Sequence, residues 1–237
     1  MQILSRPIEI ARIWPYFAVL LVIALLAFWP SYLGAGLISQ VSYTHFHAIT
    51  AIVWMGMLII QPWLIRRDQY TLHRKIGAAS YFVVPVILIA MLLLANYRLR
   101  IATPENYQIQ TYIFYLQVFL AILFALSYLL AMVYRDRSEI HARFMVCTGL
   151  TLIDPIFARI LIFTMPVPIQ YHQFITFGLT DLVFLILIFA ERKNKAGRWV
   201  FPLMLAVFLL LQIPAFLITG TPAWQAFAEW FRSVPLT

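Results

Sequence analysis

Long apolar runs, each about as long as a bilayer-spanning helix, fill this chain, and short charged tracts separate them. A spanning helix needs roughly 20 predominantly apolar residues. From Ile13 to Ile65 there is no Asp, Glu, Lys or Arg, and Pro30, Gly34 and Gly36 divide the stretch into helices at about 13–31 and 43–65. The pattern predicts further helices at about 76–97, 108–134, 141–164, 170–190 and 199–220. Met165, Pro166, Val167 and Pro168 form a rigid turn after the fifth. Between Pro222 and Val234, Trp224, Phe227, Trp230 and Phe231 stand beside Glu229 and Arg232, the pattern of an interfacial helix lying against the membrane. The expected architecture is all-α: a polytopic integral membrane protein whose residues 1–237 form one domain of seven transmembrane helices.

Composition removes the soluble alternative. Hydrophobic residues make up 63% of the chain and charged residues 11%. A soluble chain of 237 residues leaves about a third of its unfolded surface exposed and could not bury so much apolar area. The net charge of +8 does not point to nucleic acid, because the basic residues sit between the apolar runs. Thirteen of the 17 lie in the N-terminal tail (Arg6, Arg12) and in the 66–75, 135–143 and 192–198 segments. The other four are Arg98, Arg100, Arg159 and Arg232. With seven spans all the basic-rich segments share one side, which the positive-inside rule makes cytoplasmic, with the N-terminus there and the C-terminus opposite. The start of the chain reads as a retained first helix, without a convincing cleavage site. A single cysteine, Cys147, excludes an internal disulfide and thiolate-based zinc or iron–sulfur sites.

The candidate chemistry lies in the histidines and intramembrane acids. His73 and His141 open the third and fifth helices on the basic side, each just after a basic loop (Arg67-Asp68 and Arg135-Asp136). His45 and His47 open the second helix on the opposite side, and His172 opens the sixth there. Imidazoles at two depths on different helices suit haem iron, or a zinc or iron site; interfacial histidines with no cofactor are the plain alternative. His45 and His47 point to different sides of a helix, and His47, the deeper, is the better candidate. Asp154, about 20 Å along the helix from His141, has Pro155 after it and Arg159 five residues on. It is expected to pair with Arg159, or with an outer histidine. With His45, His47 and His172 it would offer the ligands of an outer-leaflet non-haem zinc or iron enzyme. Asp181 falls near the midplane, where Gln61, Gln117 or Gln212 can share its hydrogen bonds, in a packing contact, proton relay or substrate contact. Arg74 and Arg143 accompany the inner histidines and suit haem propionates or anionic lipid headgroups.

Several classes are set aside. The chain has no Gly-rich phosphate loop, no H-E-x-x-H and no G-x-S-x-G. It carries no intramembrane lysine and too few acids for a di-iron bundle. A transporter or membrane scaffold remains compatible with Asp181 and a broken fifth helix, although no inverted repeat is visible.

His47, the block Leu72-His73-Arg74-Lys75-Ile76-Gly77 with Tyr81, the block Glu139-Ile140-His141-Ala142-Arg143-Phe144-Met145, and Asp154-Pro155 with Arg159 form a pattern. It resembles a broad group of uncharacterised bacterial polytopic membrane proteins with HR-x-x-G and H-x-x-[WF]-M helix openings. The resemblance covers about 45–160 and implies a multi-pass protein of the bacterial inner (plasma) membrane, with no activity attached. A more distant likeness is to cytochrome b561-like and ferric-reductase-like membrane proteins. It implies electron transfer through b-type haem, with an inner haem on His73 and His141 and an outer haem on His47 and His172. The ligands here stand nearer the helix ends than in those families. Membrane lipid, a quinone or another small lipophilic substrate, and a second copy of the chain in a homo-oligomer are the partners compatible with this reading.

Overall fold

The computed structural model describes residues 12–34 and 41–237. Arg6 of the basic tail and Gly36 of the first interhelical break lie outside the described residues. Among these residues the protein is an all-α polytopic bundle with seven helices long and apolar enough to cross a membrane. They are Trp14–Leu33, Ser42–Arg66, Tyr70–Arg100, Tyr107–Val133, Ser138–Thr164, Tyr171–Glu191 and Val200–Leu217.

The elements are α1 (Trp14–Phe28), α2 (Ser42–Arg66), α3 (Tyr70–Arg100), α4 (Tyr107–Val133) and α5 (Ser138–Leu150). They continue with α6 (Ile153–Thr164), α7 (Ile169–Glu191), α8 (Val200–Gln212), α9 (Pro214–Leu217) and α10 (Pro222–Ser233). Pro30 sits in a π-helical turn, Trp29–Leu33, that prolongs α1. Pro62 and Pro85 lie inside α2 and α3; spanning helices tolerate them because neighbouring helices take up the freed backbone groups.

Two boundaries and one packing arrangement differ from the sequence pattern for physical reasons. Helix α3 begins at Tyr70, not near Ile76, because an apolar run marks the lipid-embedded stretch while the helix continues through its polar first turns. The fifth span is two helices, α5 and α6, joined at Thr151 and Leu152. Pro155, in the first turn of α6, has no N–H to give the Thr151 carbonyl, so the ladder is interrupted there. Helix α10 packs on protein as well as facing outward. Asn96 Nδ2 of α3 donates to the carbonyls of Phe231 (2.7 Å) and Val234 (3.1 Å), and Trp224 Nε1 donates to the Thr111 carbonyl of α4 (3.0 Å). Phe114 stacks on Phe231 at 4.7 Å, while Trp230 stays exposed on the outer face.

The core runs along the bundle axis through Trp54, Leu123, Phe144, Cys147, Phe184 and Met204. Leu26, Phe82, Val133, Leu185 and Leu210 face outward, as lipid-facing side chains do. Gly149 lets α1 come close to α5: a Cβ there would collide with the Phe17 ring and come within 3.2 Å of Leu58 Cδ1.

Candidate functional site

On the side that carries the basic loops, α3 and α5 each place a histidine three residues after the helix start, His73 after Tyr70 and His141 after Ser138. Both line one cavity of about 550 Å³. Its walls are apolar, including Phe17 of α1, Met57 of α2 and Met145 of α5. Its charged lining is Arg74, Arg135 and Asp136, all exposed toward the basic loops. Arg135 Nη1 donates to the Tyr81 hydroxyl (3.0 Å), which raises the guanidinium's proton affinity further.

The two imidazoles are held differently. His141 Nδ1 lies 2.8 Å from the Ala131 carbonyl. A carbonyl only accepts, so the proton is on Nδ1 and Nε2 keeps a free lone pair. His73 Nδ1 faces the side-chain amide of Gln61. Only one orientation of that amide satisfies its surroundings: the nitrogen donates to His73 Nδ1 and to the His73 carbonyl (3.2 Å), and the oxygen accepts from Gly77 N (3.0 Å). His73 Nδ1 is then an acceptor, and its proton is on Nε2. With the amide in that orientation the two imidazoles that line the cavity are opposite tautomers, Nδ1–H on His141 and Nε2–H on His73. The sequence puts the two histidines at one depth; Gln61, which meets His73, is there only one of three glutamines that can share the hydrogen bonds of Asp181.

Arg143 is not at the cavity. It is 1% exposed and its guanidinium bonds to the Glu191 carboxylate of α7, with Nε at 2.9 Å from Oε2. Asn194 also donates to Glu191 (3.1 Å), and Arg143 Nη1 donates to the Glu139 carbonyl (2.6 Å). Gly197 lies against this arginine with φ +78, and a Cβ there would come within 3.2 Å of Arg143 Cδ. Of the two cations assigned to a cofactor, Arg74 lines the cavity and Arg143 locks α5 to α7. A glutamate at the end of an apolar run was the signal for this pair, since an acid buried there needs a cation.

In the opposite half Asp154 is buried at 4% exposure. Its Oδ1 accepts from Gln173 Nε2 (2.5 Å) and from the Thr176 hydroxyl, both on α7. Gln173 also donates to Thr176 Oγ1 (3.0 Å). No ion pair joins Asp154 to Arg159 among the described residues; Arg159 lies over the Phe28 ring, 5.2 Å from its centre. The proline break turns α6 so that Asp154 meets the neutral polar groups of α7. Those groups were legible as a ladder: Gln173, Thr176 and Thr180 on α7, and Thr148, Thr151 and Asp154 on the fifth span, recur every three or four residues and are all buried.

The histidines away from the basic loops take separate partners. His45 Nδ1 pairs with the Tyr32 hydroxyl (2.7 Å). His172 Nε2 donates to the Met165 carbonyl (3.1 Å), and the Nδ1 atoms of His172 and His47 are buried without a partner. No group of three His, Cys, Asp or Glu side chains able to hold a metal is brought together among the described residues. Asp181 accepts from Gln212 Nε2 (3.2 Å), one of the glutamines expected for it, which joins α7 to α8.

Comparison with known proteins finds no match to this chain among family models, curated proteins or solved structures. The motif resemblances above stay resemblances, and function is argued from the sites.

Proposed function

We propose that the protein is a redox protein of a bacterial inner membrane, basic loops in the cytoplasm, whose inner cavity binds a lipophilic molecule of the quinone class. The observation that carries this reading is the opposite hydrogen-bonding character of His73 and His141 in one apolar cavity. Lipophilic ligands favour pockets that are mostly apolar with a few oriented polar groups. A quinone oxygen accepts from the His73 Nε2–H. A quinol hydroxyl donates to His141 Nε2. The pair can thus bind both oxidation states, donating to the quinone and accepting from the quinol, while Arg74 and Arg135 suit partial negative charge on the ring; the two electrons that accompany the two protons would come from, or go to, a separate one-electron carrier of the membrane.

A second reading is b-type haem, favoured by one feature: His141 has the ligand arrangement, Nδ1–H on a carbonyl and Nε2 free. Haem would supply one-electron chemistry at this position. Two-imidazole ligation also needs a lone pair on His73 Nε2, which the Gln61 contact as oriented withholds, so haem fits His141 better than it fits the pair.

Titration of the purified protein with a short-chain quinone, followed by quenching of intrinsic tryptophan fluorescence, tests the reading. Saturable binding is expected, weakened roughly tenfold by either His73→Ala or His141→Ala, about one hydrogen bond's worth each. A red preparation with a Soret band that His141→Ala removes selects haem instead. A colourless preparation that does not bind quinone sinks both readings.

A further inference from the structure

Asp181 stands at the middle of its span, ten residues from Tyr171 and ten from Glu191, about 15 Å from either end. It is half-buried, on the flank of α7 that meets α8. One oxygen, Oδ1, accepts from Gln212 Nε2 at 3.2 Å. The other, Oδ2, makes no hydrogen bond to the described residues and is not enclosed by protein. Neither α7 nor α8 carries a Lys or Arg within its span, so no cation of this seam meets the acid.

A bare carboxylate in hydrocarbon is costly, and intramembrane acids face protein or a water-filled cavity. Adding a proton removes the charge but leaves an O–H in lipid, where nothing accepts it. The surface around Asp181 has room for a partner. Gly178, one turn before it, is exposed, and a Cβ there would meet nothing within 4 Å. Leu185, one turn after it, is exposed as well. Beyond Gly178 the seam is filled by protein, where Phe174 stacks on Phe216 at 4.3 Å. The glycine therefore leaves a notch beside the acid at midplane depth, and small residues of this kind let a second helix backbone come close.

We propose that two copies of the chain associate through this flank of α7, with their Asp181 carboxyls paired across the two-fold axis. Copies with the same topology are related by an axis along the membrane normal, so side chains of equal depth meet. A carboxyl that carries its proton is donor and acceptor at once, and two of them satisfy each other with no net charge. Any other partner would have to bring its own polar group to the midplane. A second copy brings the matching group at the matching depth by symmetry alone. The contact shares no residue with the inner cavity, so it stands whether or not that cavity holds a quinone.

Cysteine cross-linking in the native membrane, and dilution of the purified protein into liposomes, test the contact. On mild oxidation Leu185→Cys is expected to give a disulfide-linked dimer, and Leu26→Cys, on the exposed face of α1, none; native Cys147 is buried and gives little background. In liposomes, energy transfer between two labelled populations of the chain should fall as lipid is added, which yields a dimer constant. Asp181→Leu should weaken that constant roughly tenfold, and Gly178→Leu, which fills the notch, by a similar factor. Asp181→Asn should keep most of it, because its amide also donates and accepts. If the leucine variants do not fold, the Leu185→Cys cross-link and the dilution curve of the unmodified protein still decide. A monomer at every dilution would overturn the proposal, as would equal cross-linking at the two cysteine positions. So would a dimer indifferent to both leucine variants, or a Leu185→Cys cross-link only to a chain of different mass, which would give this flank to another protein.

Discussion

The two halves of the bundle handle buried polarity in opposite ways. On the basic side a full ion pair, Arg143 with Glu191, is sealed in protein at the end of α7. Beside it, between α2, α3 and α5, a cavity stays open, with two imidazoles on its wall. In the opposite half a lone carboxylate is met by neutral side chains from one neighbouring helix, and α10 covers the ends of α3 and α4 with stacked aromatic rings. Opposite charges satisfy each other in few contacts, so the pair acts as a clamp and leaves space next to it. A single charge must collect dipoles from around it, which draws helices together. The arrangement of charge, more than its amount, separates the open half from the closed one.

Removing the clamp should give the largest effect. Glu191→Ala leaves the buried Arg143 guanidinium with only the exposed Glu139 carboxylate, 3.8 Å away, and is expected to cost about 3–5 kcal/mol in detergent unfolding; a cost below that of an exposed ion pair would mean the pair is hydrated, and the contrast between the halves would fail. Gly149→Val forces α1 away from α5, with an expected loss of about 1–3 kcal/mol from overpacking. Because Phe17 also lines the cavity, the same variant should alter quinone affinity without touching either histidine. Cysteine labelling compares the halves directly, since native Cys147 is fully buried and gives little background. A cysteine at Ala142, on the cavity wall, should react roughly tenfold faster with a permeant maleimide than one at Thr176, in the packed half. Equal rates would show that the packing contrast is not there in solution. The smallest effect is expected at the rim away from the basic loops: Tyr107→Phe removes a 2.7 Å bond to exposed Glu229 and should change stability by about 0.5 kcal/mol.

Apolar run length was enough to read the seven spans, because lipid solvates whole helices and sets their length. The same periodic signal could not show that the fifth span is two helices: α5 and α6 are both apolar, and the break depends on one missing N–H at Pro155. His73 and His141 were legible as a pair at equal depth. That they share a cavity depends on how α3 and α5 face each other across α2, which no local pattern encodes. Asp154 stood out as costly, but its partners did not. Arg159 was nearest in sequence, while Gln173 and Thr176 lie 19 and 22 residues away and come close only when α6 folds back on α7. Arg143 was read by its neighbour His141 and not by Glu191, 48 positions later. Short-range charge arithmetic works in loops and fails inside the bundle, where each ion takes its partner from another helix.

The close approach of Phe17 to Gly149 has a consequence for biogenesis. Helix α1 is synthesised just before α2 and finds part of its seat there at once, but its contacts with α5 and α6 arrive more than a hundred residues later. Until then α1 is held in lipid by its own hydrophobicity and little else. A pause in synthesis between α4 and α6 would leave that helix facing the bilayer or an insertion chaperone, with one wall of the inner cavity not yet built.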